Sequence, residues 1–337
     1  MSSAATTDDF CAAISSGDLD AVRAWPKADL HTHNFAKADR EYVREKTGRD
    51  IEPIKTPLTS MDDMHAWTQA NLADIFAGSE GRALAIEANF VGALKDGVTR
   101  IEFGDDVCML TQGLGSPRKL VDSIRETHAR MAPNVEWIPQ LGLSRHCPLS
   151  ALSEWMAPWL DLGFHTVLDL SGDELAQPIE VFKPLYRAAK NKGMRLKAHV
   201  GEWGTADDVR RAVEVLELDE VQHGIAAATS PSVMHFLADH QIRLNICPTS
   251  NILLGRVARL RDHPIRKLFD AGVIVTVNSD DAIVFGAGVS EEFLSLHRAG
   301  VFTAEELDQI RRWGLHDIPT RKPVMDSQNS PARRITH

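Results

Sequence analysis

Short apolar, β-branched runs alternate along the chain with longer stretches in which apolar residues recur at helical spacing. That alternation predicts repeated βα units around a parallel sheet. Eight strands are predicted, at 28–31, 100–103, 135–141, 166–170, 196–200, 220–223, 243–247 and 274–278, with helices over segments such as 81–95, 178–192 and 206–216. Lys95-Asp96-Gly97, Lys192-Gly193 and Ala271-Gly272 each place a glycine where a helix would end in a left-handed cap before the next strand. Eight such units closing on themselves predict an α/β fold of the (β/α)8 TIM-barrel type. The stretch from Asn34 to Phe76, between the first two strands, is far longer than a βα loop needs. It is expected to form an inserted helical lid, with Met61, Met64, Trp67, Leu72 and Phe76 on its apolar side. The whole chain, 1–337, is expected to be one barrel domain, with 1–20 and 326–337 peripheral or frayed.

Composition narrows the partners. The 337 residues carry 37 Lys+Arg against 47 Asp+Glu, a formal net charge of −10, with 43% hydrophobic and 25% charged positions. That balance is a globular protein's. A net acidic chain without a basic cluster lacks the cations that bind phosphate backbones, so no nucleic-acid partner is expected. No apolar run is long enough to span a bilayer and residues 1–11 do not form a secretion signal, so no membrane partner is expected. Cys11, Cys108, Cys147 and Cys247 lie far apart, which suggests neither a disulfide framework nor a cysteine zinc site and fits a cytoplasmic compartment.

The candidate chemistry sits at strand ends. Asp29-Leu30-His31-Thr32-His33 ends the first strand, and a period of two points both imidazoles to one side. His199 ends the fifth strand and is followed by Gly201 and Glu202, while the eighth runs into Asp280-Asp281. In a barrel the C-terminal strand ends face the active site, so His31, His33, His199 and Asp280 are expected to converge. Three imidazoles and a carboxylate with an open position suit one divalent metal ion per chain, zinc foremost. His223 ends the sixth strand and is placed to act on the attacking water. The other reading of His31 and His33 is a pair of solvated loop residues, of His199 a histidine satisfied in the core, and of His223 a buried ring bonded to a backbone carbonyl.

Taken in order, His31-Thr32-His33, Asp169-Leu170-Ser171-Gly172-Asp173-Glu174, His199-Val200-Gly201-Glu202, Gln222-His223-Gly224, Asn245-Ile246-Cys247-Pro248-Thr249-Ser250-Asn251, His263-Pro264-Ile265 and Asn278-Ser279-Asp280-Asp281 resemble the adenosine/adenine/AMP deaminase branch of the metal-dependent amidohydrolase superfamily. The resemblance implies a hydrolytic deaminase that releases ammonia from a 6-aminopurine or an aminopurine nucleoside derivative, a small-molecule substrate of purine metabolism. It implies His31, His33, His199 and Asp280 as metal ligands and Glu202 as the proton donor to the ring nitrogen. His223 would orient or deprotonate the attacking water, and Gly201 and Asp281 would contact the purine ring.

Other features narrow or vary that picture. Cytidine-type zinc deaminases need His-x-Glu followed by Pro-Cys-x-x-Cys, which is absent. The fourth strand ends Leu168-Asp169-Leu170-Ser171, without the lysine that bridges two metals in other amidohydrolases, so one metal is expected. Where adenosine and adenine deaminases place an acid after the histidine pair, this chain has Asn34-Phe35, candidate substrate-binding residues that make adenosine an expected weak substrate. Glu220 stands where many members carry a base. Gly104-Asp105-Asp106 and Ser144-Arg145-His146 are expected on the same rim. The rival reading keeps the mononuclear site but cleaves another C–N or ester bond; a metal-binding scaffold without turnover is a third.

Overall fold

The computed structural model of the chain describes residues 7–33, 35–112 and 114–317. Its strands are β1 Lys27–Asp29, β2 Val98–Asp106, β3 Glu136–Ser144, β4 Val167–Ser171, β5 Arg195–Val200, β6 Glu220–His223, β7 Arg243–Ile246 and β8 Val275–Val277. They pair in parallel in sequence order. The last returns to the first through a bridge between Thr32 and Asp280, where the Asp280 N–H donates to the His31 carbonyl at 3.0 Å. All eight expected strands are present. β1 and β8 are shorter than the expected segments, and beyond them the Leu30 N–H donates to the Asn278 side chain at 2.8 Å.

Helices between the strands cover the outside of the barrel. Ala206–Leu216 shows why they form: Thr205 and Asp208 make a reciprocal cap, and Val209, Ala212, Val213 and Leu216 recur on the face turned to the sheet. Gly97 has φ +67°, and a Cβ there would run into the Arg23 carbonyl oxygen, so the glycine stop before β2 is obligatory. The N-terminal segment departs from the expected fraying. Thr7–Ser16 is a helix whose Phe10 and Ile14 are fully buried, with Phe10 edge-on to Trp25 and Phe293. Residues 326–337 lie outside the described residues. Among the described residues no helix is long and apolar enough to cross a membrane.

The barrel interior carries charge. Lys197 Nζ lies 2.6 Å from Glu102 Oε1 and 3.4 Å from Glu220 Oε2, and donates to the Leu30 carbonyl at 2.8 Å. Burial alone would push the Glu220 carboxyl up, but Arg243, Lys197 and Arg195 hold it well below the ordinary range. The unusual acid at 220 is thus matched by cations on β5 and β7.

Residues 35–76 cross the C-terminal end of the barrel. The Ile54 N–H bonds the Val284 carbonyl after β8, the Leu58 N–H bonds the Leu253 carbonyl after β7, and the His65 ring lies 6.4 Å from that of His146 after β3. Helices Arg40–Thr47 and Met61–Asn71 belong to this insertion. Met61, Met64, Trp67 and Phe76 pack with Leu72 in a second apolar cluster, separate from the barrel core.

Candidate active site

His31 and His199 show what this site requires. His31 Nδ1 lies 2.8 Å from the Asn245 carbonyl oxygen; His199 Nδ1 lies 3.2 Å from the Leu170 carbonyl oxygen and 3.2 Å from Asp169 Oδ2. These oxygens only accept, so each Nδ1 carries its ring proton and each Nε2 of a neutral ring presents a lone pair. Burial, then the neighbouring His223, hold His31 neutral, its pKa well below the ordinary value. Yet the two Nε2 atoms face each other at 3.0 Å. Facing lone pairs repel unless a cation lies between them, and ligands on a tetrahedral ion with bonds of about 2.0–2.1 Å stand roughly 3.3 Å apart. The donor set therefore fits a metal ion. Asp169 behind His199 holds the ring as a carboxylate does behind a metal-binding imidazole.

The remaining expected ligands join this pair. Ligand atoms of His31, His33 and His199 lie within 4.8 Å of one another, as do those of His33, Asp280 and Asp281, and those of His31, His223, Cys247 and Asp280. Asp280 Oδ1 is 3.4 Å from His33 Nε2, and Oδ2 accepts from Ser250 Oγ at 2.6 Å. Burial opposes ionisation of Asp280, but His31, His33 and the Ser250 hydroxyl lower its pKa. Burial raises the adjacent Asp281 carboxyl to about 7, against the pull of His33. Burial disfavours charge on His33 too, yet Asp280 and Asp281 push it up to about 10: this acidic corner attracts positive charge. His223 and Asp280 hold φ of +63° and +54°, two of four non-glycine residues with positive φ among those described. Such backbone costs about 1–3 kcal/mol and persists where the surroundings enforce it.

Glu202 and His223 complete the site. His223 Nε2 is 3.5 Å from Glu202 Oε1 and 3.7 Å from Asp280 Oδ2. Burial, Asp280 and Glu174 raise the Glu202 pKa well above the ordinary range, which keeps a proton on the acid. The loop bearing it is gathered by Glu174, whose carboxylate accepts the backbone N–H groups of Gly201, Glu202, Trp203 and Gly204 at 2.6, 3.1, 2.7 and 3.2 Å. Sequence reasoning gave Glu174 no role; its signal is an acid in the turn after β4, facing a glycine-flanked loop.

Other expectations are revised by their surroundings. The Gly201 N–H is taken by Glu174 and its carbonyl accepts from the Ala226 N–H at 2.9 Å, so its N–H is not free to donate to a purine ring. Its role is steric: φ is +73° and a Cβ would collide with Val209. Asp105 does not line the rim; it is buried against Arg82 and 3.4 Å from His165. Arg145 is buried and donates through Nε to the Gln177 carbonyl, whereas His146 stays exposed. Phe35 stacks on Phe76 with ring centroids 5.3 Å apart and planes at 16°. Asn34 lies outside the described residues. Cys247, set aside in the sequence, is buried beside the metal-competent groups, and burial pushes its thiol far above the ordinary value.

Comparison with known proteins places this geometry. A family model described as Adenosine deaminase matches residues 152–318, which contain His199, Glu202, His223 and Asp280. A protein of Treponema pallidum (strain Nichols) named putative adenosine/adenine deaminase is 33% identical over 296 residues, covering 87% of this chain and 99% of that protein. The chain belongs to the adenosine deaminase family. Two solved structures share its fold: adenine deaminase from Arthrobacter aurescens, with TM-score 0.76, 24% identity and coverage of 86% of this chain and 92% of that one; and an amidohydrolase from Burkholderia ambifaria with bound Zn, with TM-score 0.72, 19% identity and coverage of 93% and 88%. In this member of the adenosine deaminase family, His31 and His33 lie outside the matched residues but meet them in space.

Proposed function

We infer that this chain hydrolyses the exocyclic amine of a 6-aminopurine and releases ammonia, with one divalent ion, zinc foremost, held by His31, His33, His199 and Asp280. The observation that carries the reading is geometric: two imidazole lone pairs meet at 3.0 Å, and the buried Glu202 carboxyl and His223 stand beside them. When bound, the ion supplies Lewis-acid chemistry that makes water a nucleophile near neutral pH. The protein's own groups do the rest. Glu202 gives its proton to the ring nitrogen next to the carbon bearing the amine, which makes that carbon electrophilic. The water oxygen bonds to the carbon while its proton passes to the Asp280 carboxylate. That proton then goes to the amine and the C–N bond breaks to give ammonia, while the second water proton, left on the new C–O group, passes to the Glu202 carboxylate, so that the product carries a carbonyl and the acid is restored. His223 orients the water, and Asp281, beside Asp280 and His33, is placed to meet the base.

Phe35 and Phe76 make one wall apolar where related enzymes offer an acid to the sugar. The preferred substrate is therefore an aminopurine that presents a more apolar or differently charged group, in place of a sugar hydroxyl, near Phe35. The Treponema relative's name, adenosine/adenine deaminase, agrees with the base. Four free cysteines fit the cytoplasm as its compartment. Ammonia release from adenine, adenosine, AMP and their N6-substituted forms tests the reading. Turnover of an aminopurine is expected; hydrolysis of only amide or ester substrates would replace it with another amidohydrolase activity.

A further inference from the structure

Two buried side chains behind the site, Asn251 and His263, have no part in the chemistry described so far, yet they fix where its protons lie. The order of donors starts at a backbone group. The Ile265 N–H donates to His263 Nδ1 at 3.1 Å, and an amide N–H has no other role, so Nδ1 carries the lone pair. Burial lowers the His263 pKa to about 3, so the ring is neutral and its one proton sits on Nε2. Nε2 faces Asn251 Oδ1 at 3.3 Å. The oxygen must accept there, which turns the Asn251 amide nitrogen the other way. Nδ2 lies 3.1 Å from Glu202 Oε1 and 3.2 Å from His223 Nδ1, one acceptor for each of its two protons.

The consequence reaches both reactive groups. With Nδ1 accepting, the proton of a neutral His223 is on Nε2, the atom that faces Glu202 and Asp280. With Oε1 accepting from the amide, the transferable proton of Glu202 is on Oε2. We propose that His263 and Asn251 are positioning residues that lock His223 as the Nε2–H tautomer and Glu202 as the Oε2 acid, so that His223 enters the reaction as a hydrogen-bond donor to the attacking water and not as its base. The proposal rests on the deaminase reading of Glu202 and His223. The balance follows: the water O–H bond breaks toward Asp280, the His223 Nε2–H bond stays intact, and the Glu202 Oε2–H bond breaks toward the ring nitrogen.

Asn251→Asp keeps the shape and still accepts from His263, but presents His223 with an acceptor in place of a donor. The ring should flip its proton to Nδ1. In a catalytic triad the wrong histidine tautomer costs about 10⁴-fold. Here kcat is expected to fall on the order of 10³-fold, with KM and metal content little changed. His263→Gln still offers an N–H to Asn251 and should retain activity within about tenfold, whereas His263→Leu should lose on the order of 10²-fold in kcat. A residue needed only for packing would not give that rescue. The tautomer itself is read by ¹⁵N NMR of histidine-labelled, zinc-loaded enzyme, with the His223 signals identified by their loss in His223→Gln. Wild-type His223 is expected to show a protonated Nε2 and bare Nδ1, and Asn251→Asp the reverse. A protonated Nδ1 in the wild type, or unchanged kcat in Asn251→Asp, overturns the proposal. If no aminopurine is turned over, the deaminase reading fails while the wild-type spectrum still decides the tautomer.

Discussion

A solvated glutamate is ionised near neutral pH and has no proton to give; Glu202 differs because burial, Asp280 and Glu174 favour its neutral form. Its catalytic form is therefore present below its raised pKa and disappears as pH rises through it. If Glu202 is the acid, kcat/KM is expected to fall on the alkaline side as it loses its proton. Glu202→Gln should lower kcat at least ~10²-fold with metal content retained, and the residual rate should lack that fall. Turnover near that of the wild type, checked by ammonia release across the pH range, would remove Glu202 from the mechanism. Glu202 was legible because it follows His199 at a strand end. Asn251 and His263 stand in recognisable motifs, but their role depends on the direction of hydrogen bonds between residues 12 and 49 positions apart, which no spacing reports.

The secondary-structure elements were the most readable level. β6 Glu220–His223 and the helix Ala206–Leu216 agree with expectation to the residue, since apolar period and caps determine both. Strand ends were less legible: β8 stops at Val277 because Asn278 turns its side chain to the Leu30 N–H at 2.8 Å, and Ser279 bonds Asp29. Of the residues expected on the rim, Asp105 was misplaced because it looks like a solvated loop acid until the fold brings Arg82 beside it, and Arg145 because its Nε turns to the Gln177 carbonyl, whereas His146 stays exposed. In the insertion, half-buried Phe35 stacks on Phe76 where the resemblance leads one to expect an acid. Phe35→Asp should restore a partner for a sugar hydroxyl. An unpaired buried hydroxyl costs about 1–3 kcal/mol, so kcat/KM for adenosine should rise roughly ten- to a hundredfold. No change in side-by-side kinetics would mean that Phe35 points away from the substrate.

Across the whole molecule, barrel closure turns distant sequence positions into one site. His31 and Asp280, near opposite ends of the chain, are joined by the hydrogen bond that seals β8 to β1, so the metal-competent cluster and the closed fold depend on the same contact. The barrel and its histidines were visible as a pattern of strand ends, while the charged interior around Lys197, Glu102 and Glu220 was not, because matched buried charges read in sequence as surface residues. The central claim is that the convergent imidazoles and Asp280 form one metal site that enables deamination. It is tested most directly by titrating zinc into metal-free protein while following ammonia release from the best aminopurine substrate. The rate should rise in proportion to added zinc and level off at one ion per chain; full activity in the metal-free protein, or a plateau reached only at two ions per chain, would contradict it.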